Sequence, residues 1–123
     1  MPTITLTTSE LTVQMSFWER VGSLSSNISI PLNSVVHATD DPTFIRHGLG
    51  FRTGGTGMPG FIAEGRFRKN GNRIFANWRR GEQVVVIELH GEKWDKLAIG
   101  CTDAKALATQ INTAIAGLAN NSI

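Results

Sequence analysis

The sequence contains one cysteine, no tyrosine and four prolines, and it has no long apolar run. With Cys101 as the only thiol, an internal disulfide is excluded. The longest aliphatic run, residues 84–87, is far shorter than the roughly 20 residues that a membrane-spanning helix needs. Residues 1–10 show neither the basic nor the apolar segment of a signal peptide. We therefore expect a cytoplasmic protein without a transmembrane segment.

Acidic residues are also scarce in the middle of the chain. Between Pro42 and Arg80 there are eight Lys and Arg residues and a single acid, Glu64, whereas the rest has four basic and nine acidic residues. This asymmetry creates a local positive field that attracts an acidic protein, a phosphate or an anionic membrane. It is equally compatible with two solvated faces, or with two halves that attract each other in a homo-oligomer.

Length and overall composition are those of one globular domain. The chain has 123 residues, of which 41% are hydrophobic and 18% are charged, and this suffices for one core but not for two. Because the sequence shows no internal repeat and no linker, we treat residues 1–123 as a single domain.

A predicted β-hairpin, FIAEGRFRKNGNRIFANWRR, is the centre of the pattern. Its two alternating runs flank Asn70-Gly71, which favours a two-residue type I′ turn because both residues tolerate positive φ. Such a turn fixes the register and places Arg68 opposite Arg73. One face of this hairpin is expected to be buried, since alternate side chains share a face. The predicted buried residues are Ala63, Phe67, Ile74 and Trp78.

The opposite face of the hairpin is predicted to be exposed and basic. Like charges directly opposite each other destabilise a sheet unless a partner neutralises them. The face therefore suits a protein partner or a second copy of the chain; phosphates with a stacked base, or acidic lipid headgroups, are further alternatives. Without a ligand, the aliphatic parts of the arginine side chains would lie over the ring of Phe75, with the guanidinium groups in water. The predicted binding residues are Arg66, Arg68, Arg73, Phe75 and Arg79.

A glycine-rich segment over residues 48–60 is predicted as a long loop. Glycines let the backbone approach a ligand closely, so this loop and Arg52 form a candidate anion site. It is not a P-loop, because no Gly-Lys-Ser/Thr follows and the next segment is a predicted strand. The alternative to an interaction module is thus a small ligand- or cofactor-binding barrel, with a flavin-type phosphate at the loop. A turn-rich loop without a ligand, in which Met58-Pro59 covers a neighbour, is equally compatible.

Alternating apolar residues predict further strands, and helical spacing predicts one helix. Pro31 marks an edge strand, and the apolar run at residues 84–87 indicates a strand covered on both sides. From Asp103 onward the apolar residues repeat at helical spacing, which predicts an amphipathic helix over about 103–118 and no helix before it. The other predicted strands cover residues 3–6, 11–17, 28–32, 35–39, 83–90 and 96–101.

A Val-rich strand, a glycine-rich segment, a strand pair and a final helix follow one another in this chain. They are Val35-Val36, Gly48 to Arg52 with Gly54 to Gly60, Gly65 to Phe67, and Asp103 with the helix. This order resembles the pleckstrin-homology (PH) barrel and small bacterial PH-like domain proteins, most of which have no assigned activity. The resemblance implies about seven antiparallel strands in two nearly orthogonal sheets, capped by one C-terminal α-helix. The segment from Arg20 to Asn27, which matches the phosphoinositide-binding hairpin of PH domains, has no lysine, so that site is not carried over.

No catalytic or metal-binding constellation stands out in the sequence. The three histidines lie on separate segments without a second ligand at metal spacing, and Cys101 ends an apolar strand as buried cysteines do. Glu64 is expected to face outward beside Arg66 as an ion-pair partner. We therefore expect a non-enzymatic interaction or scaffold module, without cofactor or metal, that binds a protein partner or associates with itself.

Overall fold

The computed structural model describes residues 1–23, 27–58 and 61–121, and within them it contains nine strands in two sheets and three α-helices. The three-stranded antiparallel sheet has the order β1-β2-β3 and consists of β1 (Thr3–Leu6), β2 (Glu10–Gln14) and β3 (Ile28–Pro31). The six-stranded sheet has the order β4-β8-β9-β7-β6-β5 and consists of β4 (Val35–Asp40), β5 (Phe51–Met58), β6 (Ile62–Lys69), β7 (Asn72–Arg79), β8 (Gln83–Leu89) and β9 (Lys96–Cys101). The helices are α1 (Phe17–Ser23), α2 (Phe44–His47) and α3 (Ala104–Asn121), and a 3-10 turn covers Leu32–Ser34.

The predicted hairpin and its register are confirmed. Asn70 and Gly71 have φ of 52° and 81°, as a type I′ turn requires. Arg68 pairs with Arg73 and Phe67 pairs with Ile74, so the turn sets the pairing of the whole β6–β7 ladder.

Both faces of this hairpin carry buried side chains, and this corrects one expectation. Ile74 lies in a core cluster on one face with Phe67, as predicted. Phe75, predicted to sit on an exposed basic face, is fully buried in the larger cluster on the other face. That face is covered because the small sheet contributes residues such as Leu11 and Val13 to the same cluster, and α3 contributes Ile111.

The core strand β8 is covered on both sides, as its apolar run predicts. Val84 and Val86 belong to one core cluster, while Val85 and Ile87 belong to the other. Next to it lies β9, which is antiparallel to β8 and parallel to β7. The chain therefore leaves β7, forms β8, and returns to place β9 between the two.

An unpredicted helix, α1, follows the small sheet's second strand. Ser16 and Glu19 form a capping box: Ser16 Oγ accepts from Glu19 N at 3.2 Å, and Glu19 Oε1 accepts from Ser16 N at 2.8 Å. The expectations that the strand continues to residue 17 and that no helix precedes the last one are therefore wrong. Both side chains of the Phe17-Trp18 pair are exposed on α1.

The glycine-rich segment is mostly strand rather than loop, which is a further correction. Residues 51–58 form β5, which pairs with β6 through a register shift between Arg52 and Gly54. Gly55 and Gly65 are Cα partners across this ladder, and both have positive φ, of 96° and 127°. These two glycines break the alternation that usually marks a strand. Pro59 and Gly60, also part of the predicted loop, lie outside the described residues.

The C-terminal helix α3 is confirmed, and it extends past the predicted end at residue 118. Asp103 caps it, since its Oδ1 accepts a hydrogen bond from Ala106 N at 3.1 Å. Ala108 and Ile111 are buried on its apolar face, against the larger core cluster.

The coarse architecture therefore agrees with the sequence, since the protein is mainly β with two sheets and a C-terminal helix. The described residues form more strands than the seven that the resemblance implied. They include one parallel pair, β7–β9, and neither sheet closes on itself within the described ranges. Among the helices of these ranges, none combines the length and the apolar character that a bilayer crossing requires.

Candidate functional site

Three of the six predicted binding residues line one cleft. Arg66, Arg68 and Arg73 surround a cavity of about 270 Å³ at the end of the larger core cluster. Arg66 and Arg68 share a face because they are alternate residues of β6, and Arg73 lies directly opposite Arg68 on β7. The cleft is completed by Thr53, Phe67, Lys93 and Trp94. We call these residues together the basic cleft.

Repulsion between the opposed arginines of the basic cleft is relieved by an acid that sequence reasoning missed. Asp95 Oδ2 accepts a hydrogen bond from Arg73 N at 2.7 Å and lies 3.6 Å from Arg73 Nε. Arg73 also donates from a terminal nitrogen to the backbone oxygen of Glu92 at 3.3 Å. Arg73 is therefore engaged within the chain, whereas its opposite neighbour Arg68 has no ion pair or side-chain hydrogen bond to the described residues.

The floor of the basic cleft is aromatic. Trp94 is only 7% exposed and packs on Phe75 with ring centroids 5.6 Å apart. Lys93 Nζ lies 5.1 Å from the Trp94 ring centroid, in cation–π contact. The ring is thus covered by the core on one side and by an ammonium group on the other.

Three cations of the basic cleft have no ion-pair partner among the described residues: Arg66, Arg68 and Lys93. Arg66 and Arg68 are exposed, and so is Lys93. A Cβ at Gly54 would lie 2.8 Å from a terminal nitrogen of Arg66, so glycine at this position leaves room for the guanidinium. Uncompensated positive charge therefore gathers at one place on the surface.

Arg79, the fourth arginine of the predicted face, lies away from the basic cleft and is paired. Its Nε and a terminal nitrogen both lie 2.8 Å from Oε1 of Glu64. Glu64 is completely buried rather than exposed beside Arg66, which corrects that expectation. A Cβ at Gly22 would lie 2.1 Å from Glu64 Oε2, so α1 covers the carboxylate closely and a larger residue there would displace it.

The electrostatics around Glu64 oppose its ionisation. Burial raises the pKa of Glu64, Arg79 opposes this rise, and the nearby charges of Glu19 and Glu82 add to it. Oε2 of Glu64 and Oδ1 of Asn77, its cross-strand partner, are buried acceptors without a hydrogen-bond partner in the described part of the chain. This group is therefore a polar element of the core beneath α1 and separate from the basic cleft.

The other two predicted site residues also lie apart from the basic cleft. Phe75 is inaccessible within the core, so no base can stack on it. Arg52 lines a different groove, between α2 and the β5–β6 pair.

Sequence reasoning missed the contribution of residues 92–96 to the site. Lys93 and Asp95 reach the hairpin because β9 inserts next to β7, a long-range pairing for which no local pattern gives a signal. The buried Glu19, in contrast, had a readable signal: the S-x-x-E spacing of residues 16–19.

Catalytic chemistry has little support in the described ranges. No group of three or more His, Cys, Asp or Glu side chains there is arranged to hold a metal ion. Cys101 is buried, and burial, with Glu82 and Asp103 adding to it, raises the pKa of its thiol, so the reactive thiolate is disfavoured.

Comparison with known proteins gives no identification. No protein-family model matches the chain, no curated protein matches it, and no solved structure matches its fold.

Proposed function

We propose that this protein is a non-enzymatic interaction module that binds an acidic segment of a protein partner at the basic cleft. The observation that carries the proposal is the convergence on one cavity of Arg66, Arg68 and Lys93, three cations without an ion-pair partner in the described part of the chain. Such a cluster stores electrostatic repulsion, which an acidic partner relieves on binding.

A separate partner is favoured over a second copy of the chain. Three acids that a second copy could offer are engaged internally: Glu82 Oε1 accepts from Arg79 N at 2.8 Å, Glu88 Oε2 lies 3.5 Å from His37 Nδ1, and Glu92 accepts from Ser34. Self-association through these acids would first have to break these contacts.

The ring geometry disfavours single-stranded nucleic acid. Binding of that kind depends on exposed aromatic faces on which successive bases stack. Phe75 lies in the core, and Trp94 is buried beneath Lys93. What the basic cleft offers is therefore charge without a stacking platform, and this suits carboxylates better than bases.

Membership of the PH-like group is part of the proposal. It is supported by the order of strands followed by one C-terminal helix that covers the core, although the parallel β7–β9 pair is a departure from the antiparallel barrel. We also propose that the protein works in the cytoplasm.

The test is fluorescence anisotropy with a fluorescein-labelled octapeptide of alternating Glu and Gly. We expect binding that weakens steeply with salt, and a loss of roughly tenfold or more in the Arg66→Gln/Arg68→Gln double variant. The matched control is Arg80→Gln, an exposed arginine that lies over Phe61 and outside the basic cleft. Equal affinity in both variants would contradict the proposal.

Light scattering in line with size exclusion supplies the second readout. We expect a monomer at low and at high salt. A dimer that dissociates in salt and is lost in the Arg66→Gln/Arg68→Gln variant would assign the basic cleft to self-association instead.

A further inference from the structure

A second concave site lies on the opposite face of the hairpin from the basic cleft. It is a groove of about 390 Å³ between α2 and the β5–β6 pair, a volume within the range of small-molecule sites, roughly 300–1,000 Å³. Its floor consists of the buried side chains of Leu49, Ala63 and Phe67, and Ile45 and Ile62 form half-buried sides. The interior of the groove is therefore apolar.

Two arginines supply the polar part of this groove. Arg46 reaches it from the last turn of α2, and Arg52 reaches it from β5. Neither has an ion-pair partner among the described residues, and no acid lines the groove. The groove thus combines an apolar interior with uncompensated positive charge.

Arg52 is held in place by the chain itself. One terminal nitrogen donates to the backbone oxygen of Gly57 at 3.0 Å, across the bend of β5. A Cβ at Gly57 would lie 3.1 Å from that nitrogen and 3.3 Å from Cδ, so glycine lets the arginine lie flat against the strand. The remaining guanidinium donors stay free for a ligand, and their orientation is set before binding.

We propose that this groove binds an amphipathic anion: an apolar acyl chain that ends in a carboxylate. The chain lies on Leu49, Ala63 and Phe67, and the carboxylate accepts hydrogen bonds from Arg52, with Arg46 adding charge. The two halves of the ligand match the two halves of the groove, since arginine binds carboxylates in a planar, bidentate geometry. This site is independent of the basic cleft.

The test is a titration of ¹⁵N-labelled protein with sodium decanoate, followed by amide chemical shifts. We expect saturable shifts at Ile45, Gly50, Gly57 and Ala63, and weaker binding for both 1-decanol and sodium acetate, which each lack one half of the ligand. Decyl phosphate distinguishes a carboxylate from a phosphate head: tighter binding of decyl phosphate than of decanoate would overturn the assignment of the head group.

Two variants complete the test, and their ¹⁵N spectra report whether each is folded. Arg52→Gln is expected to weaken decanoate binding roughly tenfold, because a charge-assisted hydrogen bond is lost. Arg20→Gln, an exposed arginine of α1 that lines neither the groove nor the basic cleft, is the matched control and should bind like the unmodified protein. The proposal is overturned if decanoate shifts amides elsewhere instead of those of the groove. It is also overturned if 1-decanol or acetate binds as tightly as decanoate, or if Arg52→Gln binds decanoate as tightly as the unmodified protein. Failure of the acidic peptide at the basic cleft would leave this result unaffected.

Discussion

Arg79 directs two of its nitrogens to the same oxygen of Glu64, Oε1, each at 2.8 Å, and leaves Oε2 buried without a partner in the described chain. The two residues of this pair lie in different environments: the Glu64 side chain is buried, whereas about half of the Arg79 side chain is accessible. Removing Glu64 and removing Arg79 should therefore change the free energy of unfolding differently, and this free energy should depend on pH.

The first prediction concerns the pH dependence of Glu64. Burial raises the pKa of Glu64 in the folded protein; Arg79 opposes this rise, and the charges of Glu19 and Glu82 add to it. Above the ordinary pKa, the folded state therefore keeps a proton that the unfolded state has already lost. Stability should therefore fall as pH rises from 4.5, the ordinary value, through the folded pKa. Glu64→Gln should remove this slope in urea denaturation at pH 4 to 8. The exposed Asp40→Asn is the control, and a slope that persists in Glu64→Gln would assign it to another group.

The second prediction concerns loss of the cation. Arg79→Gln should destabilise the protein by about 3 kcal/mol at pH 7, since the buried Glu64 must then either stay ionised without its partner or take up a proton, and both cost free energy. The double variant Arg79→Gln/Glu64→Gln should recover much of that loss, because no buried charge is left. Urea denaturation of all four proteins gives the coupling energy. Additive effects would show that the pair has no energetic coupling.

The third prediction has the opposite sign and concerns Glu19. Burial raises the pKa of Glu19, but the hydrogen bonds from Ser16 and the Met1 amino group, 3.0 Å away, together lower it by more, so the net shift is downward. This contribution to stability is present above 4.5 and should be lost as pH falls through the folded pKa. Glu19→Gln should flatten the acid limb of the stability curve below pH 4.5, measured by thermal unfolding. An unchanged acid limb would contradict it.

The face pattern of the hairpin illustrates what local sequence can predict. Its turn, its register and the sharing of one face by Arg66 and Arg73 depend on residues close in the chain, and they are correct. Whether that face is covered depends on the small sheet and on α3, and the position of Lys93 depends on β9; all of these come from distant segments. The burial of Phe75 and Glu64 and the presence of Lys93 in the basic cleft therefore could not be deduced from periodicity.

Glycines explain the other main difference between expectation and structure. Strand prediction relies on alternating side chains, and the segment 54–57 has only Thr56 among three glycines. The segment becomes a strand because Gly55 fits opposite Gly65 of β6, both in conformations that other residues disfavour. Because glycine has no side chain, the sequence pattern predicted a loop. In the structure, the same lack of side chains lets β5 lie close to β6.

The fourth prediction tests this close contact. A Cβ at Gly55 would lie 2.2 Å from the backbone oxygen of Glu64, and one at Gly65 would lie 2.4 Å from that of Gly54, both at positive φ. Because backbone atoms cannot move away cheaply, Gly55→Ala and Gly65→Ala should each destabilise by at least about 2 kcal/mol in urea denaturation.

The control for these glycines lies on α3. Gly117 is exposed on this helix, and a Cβ there would meet no atom within 4 Å. Gly117→Ala should therefore stabilise the protein by up to about 1 kcal/mol through helix propensity. Equal effects at positions 55, 65 and 117 would mean that strand contact imposes no special demand.

The fifth prediction concerns the edge of the large sheet. β4 is an edge strand, and the backbone N–H and C=O of its Ala38 point away from the sheet. Both groups bond to the side chain of Asn112: Ala38 N donates to Asn112 Oδ1 at 2.8 Å, and Asn112 Nδ2 donates to Ala38 O at 2.9 Å. The side-chain amide of Asn112 thus takes the place of a neighbouring strand. It protects the β4 edge, which would otherwise be free to pair with another chain. Asn112→Ala should cost about 1–2 kcal/mol, as two hydrogen bonds are lost.

The matched control for Asn112→Ala is Thr113→Ala, the next residue on α3, which is also exposed. Both substitutions gain helix propensity of similar size, so the difference between them isolates the bonds to Ala38. Light scattering during mild heating should show larger species earlier in Asn112→Ala than in Thr113→Ala, because only the former frees the β4 edge. If the two variants unfold and associate alike, the side-chain amide does not protect this edge, and the packing of α3 on β4 alone has to account for it.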